Sequence, residues 1–549
     1  MLRKKRKLNF INYKNVNMNM EREKLELFRP KKDELPSLFA DRIGESYSLT
    51  RSQIYKKKTA QFFTPPEISK LMSSFSKMSK ENIRLLDPAC GVGILACSIA
   101  EHFSSNIINL KSIFLKAYET DEKVICLSKI AFEYLKEYLR KFQINFSYEL
   151  IHGDFILNNS SFIDDNLSLV IEPELCYDTI ICNPPYFKLS KTDERTIAVK
   201  SIINGQPNIY SIFMAISSRM LNYNGELIFI TPRSFTSGRY FKLFRDFFFK
   251  QVCIENIHLF TSRKKAFSRE KILQETMILT ARKKPMNIKN SIVISTSNGS
   301  SDIDKRYSKS YDLDYLIDVN SREKIIHLPL NENEEKIVSL FKTWKANLNN
   351  YNIQISTGPV VSFRARNFIE KNSVKDQLLS APLFWLENIK SMSLIWPIYK
   401  KKKGQFIQIC EESKSILISN KNYIFLRRFS SKDDKCRLIA APYFCSFIDS
   451  KYIGVENKVN YIYRPNGFLN RNEIVGLCAL LNSRIFDIYF RTFNGNVNVS
   501  ATELRDMPLP PLELIKSIGE EIILSNNYSI ENISSIINNR FEFESILNI

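Results

Sequence analysis

Short apolar runs alternate with helix-spaced apolar stripes through the first half of the chain. Residues 83–86, 113–118, 148–151 and 177–182 are compact runs of β-branched, leucine and aromatic residues, the length and composition of buried strands. Between the second and third, residues 124–139 place apolar side chains at helical spacing. Residues 210–221 read as a further helix, and residues 225–232, 254–260 and 275–280 as a fifth, sixth and seventh strand. Strand and helix in regular alternation predict an α/β fold, with a mostly parallel seven-stranded sheet and helices on both faces.

Ahead of the first strand, Ile68, Leu71, Met72 and Phe75 form an apolar helical stripe. Thr64 stands where an N-cap would, Pro65 at the first helical position, and Glu67 where a capping box would close. Residues 281–345 are polar and weakly periodic, so residues 283–304 read as surface connection and a boundary falls near 335. Beyond it, short aromatic and β-branched runs predict an α+β domain, with residues 472–490 as one amphipathic helix built on Ile474, Leu477, Leu480, Leu481 and Ile485. The expected divisions are a basic arm over 1–45, an α/β domain over 46–335 and a second domain over 336–549. No internal repeat is present.

At 549 residues, the chain has room for two or three domains. With 44% hydrophobic and 25% charged residues, it has the balance of a water-soluble globular protein. No apolar run reaches the length of a membrane span, and no apolar signal core follows the basic start Arg3-Lys4-Lys5-Arg6-Lys7, so cytoplasmic residence away from membranes is expected. The formal charge of +21 favours a polyanionic partner, nucleic acid before anionic membrane, although a lysine-rich composition alone would give the same number. The ten cysteines include no Cys-x-x-Cys pair, and there are four histidines, so no metal site is expected.

The chemistry sits at the predicted strand ends. The fourth strand runs into Asn183-Pro184-Pro185-Tyr186. Two prolines cannot continue a central strand, so the chain leaves the sheet there. The Asn183 side-chain oxygen and the Pro184 carbonyl can each accept one N–H of a planar amino group, and Tyr186 offers a face for a base. The first strand ends in Asp87-Pro88-Ala89-Cys90-Gly91-Val92-Gly93. Gly91 and Gly93 allow close backbone approach, and Asp87 can receive an ammonium group. Glu119, with Asp121 beside it, ends the second strand, where an acid can hold two ribose hydroxyls. Asp154 ends the third and can accept from an exocyclic amine, with Phe155 against a purine. Each could be only a cap or turn residue; in series they argue for one site on one sheet edge.

Several basic stretches suit a nucleic-acid surface. Arg263-Lys264-Lys265-Ala266-Phe267 sets an aromatic in a basic loop, fit to hold an extruded base among phosphate contacts. Arg364 and Arg366 flank a turn, Lys401 and Lys402 lie in a lysine run, and Arg427 and Arg428 follow an aromatic strand pattern. A solvated basic surface is the plain alternative for each.

With these motifs in place, the chain resembles the gamma-class N6-adenine DNA methyltransferases of bacterial type II restriction–modification systems, and the PstI and BsuBI group among them. The likeness rests on Gln61-Phe62-Phe63-Thr64-Pro65, on the Asp87 to Gly93 turn, on Asn183-Pro184-Pro185-Tyr186 and on the strand over 225–232. It extends to Val360-Val361-Ser362-Phe363-Arg364-Ala365-Arg366, Leu426-Arg427-Arg428-Phe429-Ser430-Ser431-Lys432 and Val499-Ser500-Ala501-Thr502-Glu503-Leu504. Ala60 and Val92 depart from the family's usual Gly and Ser or Thr. The resemblance implies a Rossmann-like methyltransferase domain followed by a target recognition domain, with S-adenosylmethionine as methyl donor and double-stranded DNA as substrate. Thr64 and the 87–93 turn would meet the donor's methionine part, Glu119 its ribose and Asp154 its adenine. Asn183, Pro184 and Tyr186 would hold an extruded adenine, with Phe267 on its other face. Direct in-line transfer then needs no covalent nucleophile, general base or metal. A restriction endonuclease encoded as a separate chain is the implied functional partner, and a monomer is expected. An RNA or protein-glutamine acceptor, a DNA-binding module without catalysis, and a subunit needing a specificity partner remain open alternatives.

Overall fold

The computed structural model describes residues 28–51, 63–163, 173–203, 205–262, 275–286, 289–299, 302–319, 321–370, 379–398, 403–431, 434–495 and 497–542. Its largest element is a sheet of β1 (Asn82–Asp87), β2 (Ser112–Glu119), β3 (Asn145–His152), β4 (Tyr177–Cys182), β5 (Leu221–Pro232), β6 (Cys253–Phe260), β7 (Thr276–Arg282), β8 (Ser291–Ser297) and β9 (Tyr307–Asp312). The order is β3-β2-β1-β4-β5-β7-β6-β8-β9. The first five in that order are parallel, while β7 lies antiparallel between β5 and β6. Order reverses between β1 and β4, which opens a crevice at their carboxyl ends.

Residue alternation explains how both faces are covered. Ile181, Ile228 and Ile230 join one core with helices Pro36–Leu49, Pro66–Ser74, Ile94–Asn106 and Glu122–Arg140. Their neighbours Ile180, Cys182, Leu227 and Phe229 join the other, with helices Ile209–Arg219 and Lys242–Gln251. Every residue of β4 is buried, Asp178 included, whose carboxylate accepts from the Lys80 ammonium and the Arg84 amide at 2.6 and 2.9 Å.

The sheet has nine strands where seven are expected. β8 and β9 lie partly in the stretch read as surface connection. Their polar composition hid them because the serines are structural. Ser295 and Ser297 hydroxyls lie 2.9 and 3.0 Å from the two ring nitrogens of the fully buried His258. Burial holds that imidazole neutral, its pKa pushed down to about 4. At the other end, the expected arm finishes as a brace. Phe39, Ala40 and Ile43 are buried in the sheet's core, and the Ser37 amide and hydroxyl donate to Glu101 at 2.6 and 2.8 Å.

The C-terminal portion is α+β. An antiparallel four-stranded sheet pairs Gln354–Thr357, Val459–Tyr463, Tyr423–Arg427 and Ala440–Tyr443, and a five-stranded sheet lies beside it in sequence. Helices Arg471–Asn482, Arg484–Phe493, Leu512–Ser525 and Ile530–Phe541 share a core with residues from Ile337 onward. The expected single helix over 472–490 is two. Ser483 is extended (ψ 151°) and its hydroxyl caps the second helix, so an interior Ser becomes an N-cap.

One buried arginine ties the portions together and another braces the first. Arg233, just past β5, donates to the Arg491 carbonyl at 2.8 Å and also to that of Thr492. The Thr236 hydroxyl donates to the Phe493 carbonyl at 2.9 Å. Arg245 is 0% exposed and donates to the carbonyls of Glu323, Phe235, Ser237 and Gly238. Arg245→Met strands these acceptors, leaves the Glu323 carboxylate 3.6 Å away without its cation, and is expected to cost roughly 3–5 kcal/mol. Differential scanning calorimetry should show a clear fall in the thermal midpoint, with Arg245→Lys recovering only part; an unchanged midpoint would refute this role.

Candidate active site

Four strand ends converge on one cavity of about 530 Å³. β1 supplies Pro88, Ala89 and Gly91 from its turn, β2 supplies Tyr118 and Glu119, β3 leads to Gly153 and Asp154, and β4 leads to Asn183 and Pro185. The size suits a small-molecule cofactor. Phe63, Phe155, Phe187, Ile209 and Phe213 add apolar wall.

The Asp87 turn works through positive φ. Gly91 sits at +53° and Gly93 at +89°, and a Cβ on Gly93 would meet the Phe132 ring at 2.5 Å. Asp87 is wholly buried behind this turn. One carboxyl oxygen accepts from the Ala89 amide at 3.3 Å and the other, Oδ2, has no hydrogen-bond partner. Burial pushes its pKa up to about 8, with Glu119 adding to the rise. Cys90 is buried, and burial likewise raises its thiol. The Glu119 carboxylate accepts from the amides of Thr120 and Asp121 at 2.8 and 2.9 Å; its pKa is raised, burial outweighing these bonds.

Two neighbouring acids are more committed than expected. Asp121 caps helix Glu122–Arg140 through Lys123 N and accepts from the Tyr47 hydroxyl at 2.9 Å, although it still lines the cavity. Asp154 caps helix Phe155–Asn159, accepting from Ile156 N and Leu157 N, with Arg195 at 3.5 Å from its second oxygen. Phe155 is buried edge-on to Tyr118.

At β4 the tetrapeptide is bonded at both ends of the Asn183 carboxamide. Nδ2 donates to the Thr64 hydroxyl at 2.9 Å, and Oδ1 accepts from the Tyr186 hydroxyl at 2.6 Å. Tyr186 also lies 2.8 Å from the Ile230 carbonyl, and burial raises its pKa. Thr64 is not the N-cap expected. Pro65 takes that position and Pro66 starts the helix, which frees the Thr64 hydroxyl for Asn183.

The basic candidates divide. Arg263, Lys264, Phe267, Lys401 and Lys402 lie outside the described residues. Arg364 and Arg366 are exposed, with the Arg364 guanidinium over the Phe363 ring. The Arg427 guanidinium is bound by two donors to the Ile389 carbonyl, at 2.9 and 2.7 Å, and Arg428 donates to Asn457 O at 2.9 Å. Those two are thus at least partly spent on the fold. Phe63, Phe187, Arg195 and Phe213 line the cavity and were missed as site residues. Phe63 and Phe187 directly adjoin Thr64 and Tyr186, a proximity that could have flagged them.

Residues 45–267 match the Eco57I restriction-modification methylase family. The chain is 30% identical to the type II methyltransferase M.PstI of Providencia stuartii over 88% of its own length and 94% of that protein. It is 32% identical to the type II methyltransferase M.BsuBI of Bacillus subtilis over 91% and 97%. The chain belongs to the type II restriction–modification methyltransferases. M.AccI of Acinetobacter calcoaceticus, also a type II methyltransferase, is 30% identical over only 39% of this chain and 35% of its own. The first two alignments therefore run well into the C-terminal portion of this methyltransferase. Among its described residues, no helix is long and apolar enough to cross a membrane.

The raised Asp87 pKa has a definite sign. Between the unfolded carboxyl's value of 3.8 and about 8, the folded protein holds a proton that the unfolded chain has released. Asp87 therefore contributes stability that is present at low pH and lost as pH rises towards 8. Without ligand, the thermal midpoint of the wild type should fall relative to that of Asp87→Asn as pH goes from 5 to 8. Parallel pH profiles for the two proteins would contradict the assignment.

Proposed function

We propose that this methyltransferase moves a methyl group from S-adenosylmethionine to N6 of an adenine extruded from duplex DNA, and that a separately encoded restriction endonuclease is its functional counterpart. The observation that carries the reading is the Asn183 carboxamide, held in the cavity wall at the β1/β4 crevice, with the carbonyl of the next residue, Pro184, proposed as the second acceptor. Two acceptors side by side suit a planar amine with two N–H groups. Accepting both hydrogens draws the nitrogen lone pair out of conjugation and aims it at an electrophile.

The chain's residues fit the donor. Asp87 Oδ2, unpartnered behind the turn that lines the cavity, suits an ammonium group, while in the lining Glu119 suits ribose hydroxyls and Asp154 with Phe155 and Phe187 suits a purine. When bound, S-adenosylmethionine would supply an activated methyl on sulfonium: the methyl–sulfur bond breaks as the N6–methyl bond forms, S-adenosylhomocysteine leaves as the neutral thioether, and N6 gives up one proton to solvent. Catalysis by the chain is then positioning and hydrogen-bond polarisation. Tyr186 presents its ring to the base, edge to face with Tyr210. Extruding the base costs a few kcal/mol, offset by contacts in the pocket and along the backbone. The net charge of +21 favours that backbone. Residues 336–549 take the part of the sequence-reading domain, with exposed Arg364 and Arg366 among its DNA contacts and Phe267 as the base's second face.

Asn183→Ala should leave donor affinity within a few-fold and abolish transfer. The test is long-read modification mapping of DNA from a methylation-free host expressing wild type or variant. N6-methyladenine at one short motif, absent in the variant, is the expected result. An unmethylated genome, with folded protein that binds the donor, would overturn DNA as the acceptor for the chain alone.

A further inference from the structure

We infer that Thr64 is a positioning residue for Asn183, fixing which end of its carboxamide faces the acceptor amine. The inference rests on the reading of Asn183 as an amine-binding group and adds the part that orients it. An asparagine side chain is nearly symmetric in shape and opposite in chemistry at its two ends. With Oδ1 towards the acceptor it accepts an N–H. Turned over, it would set its own NH₂ against the amine's hydrogens.

The structure holds the two ends unequally. Tyr186 has a second acceptor at hand, the Ile230 carbonyl at 2.8 Å, so its hydroxyl can leave Oδ1 when an amine arrives. Nδ2 donates to the Thr64 hydroxyl at 2.9 Å, the partner found for it among the described residues. Thr64 is itself fixed. It is 4% exposed, and Pro65 and Pro66 restrict the backbone that follows. Helix Pro66–Ser74 buries Ile68, Leu71 and Met72 against the sheet. A contact 119 residues apart in sequence thus ties the entry to that helix to the end of β4. The threonine oxygen can accept from Nδ2 while its own hydrogen points elsewhere, so a donor-binding role for Thr64 is compatible with the orienting one.

The test compares wild type with Thr64→Val, Thr64→Ala and Thr64→Ser. Single-turnover methylation is measured at saturating DNA and donor, S-adenosylhomocysteine affinity by calorimetry, and folding by thermal midpoint. Val and Ala should lower the transfer rate about 10- to 100-fold, while Ser stays within about threefold of wild type. Any fall in S-adenosylhomocysteine affinity in Val and Ala should be smaller than the fall in their saturated transfer rate. The Ser and Ala pair differs by the hydroxyl alone, so it decides the matter even if Val fails to fold. An unchanged saturated rate in Ala would overturn the inference. So would a Ser variant as slow as Ala, or a loss confined to S-adenosylhomocysteine affinity. A wild type that makes no N6-methyladenine would instead overturn the underlying reading of Asn183.

Discussion

Two missing backbone N–H groups organise the site. Pro184 and Pro185 cannot extend β4, whose six residues are all buried and whose ladder bonds run to β1 and β5. The strand must therefore end at Cys182, and the chain must turn out where the strand order reverses. That reversal keeps the β1 and β4 crossovers apart and leaves a crevice between their carboxyl ends. Asn183 meets the crevice because it is the first residue past the last ladder position.

Electrostatics around the crevice follow from the same burial. Asp87 and Glu119 end adjacent strands, and each has a carboxyl pushed up mainly by loss of water. A site holding a neutral or poorly compensated acid favours a ligand that brings positive charge or hydroxyl donors. Asp121 and Asp154 have a second task, since each caps a helix through backbone amides.

The N-terminal and C-terminal portions are joined through backbone carbonyls. Arg233 and Thr236 reach the end of helix Arg484–Phe493, whose last carbonyls lack helical partners. Ser234, between them, bonds the Tyr210 hydroxyl at 2.8 Å, and Tyr210 packs edge-on to Tyr186. A continuous run of contacts therefore leads from the tetrapeptide to the C-terminal helices. Its rigidity comes from buried donors that have no water to turn to.

The sequence by itself determined the strands β1 to β7, because buried parallel strands are runs of apolar residues and their ends carry the residues that cannot stay in a sheet. It also determined that Asp87, Glu119, Asp154 and Asn183 share one edge, since parallel order puts all carboxyl ends together. Tertiary structure decided what each polar group does. Ser295 and Ser297 read as loop residues until His258 is seen between them. Thr64 reads as a cap until Pro65 displaces it, and Arg427 reads as wholly solvated until Ile389 accepts from it. The physical reason is common to all. Apolar patterning is a local property that repeats along the chain, whereas a hydrogen bond depends on which partner folding brings within 3 Å, often from a hundred residues away.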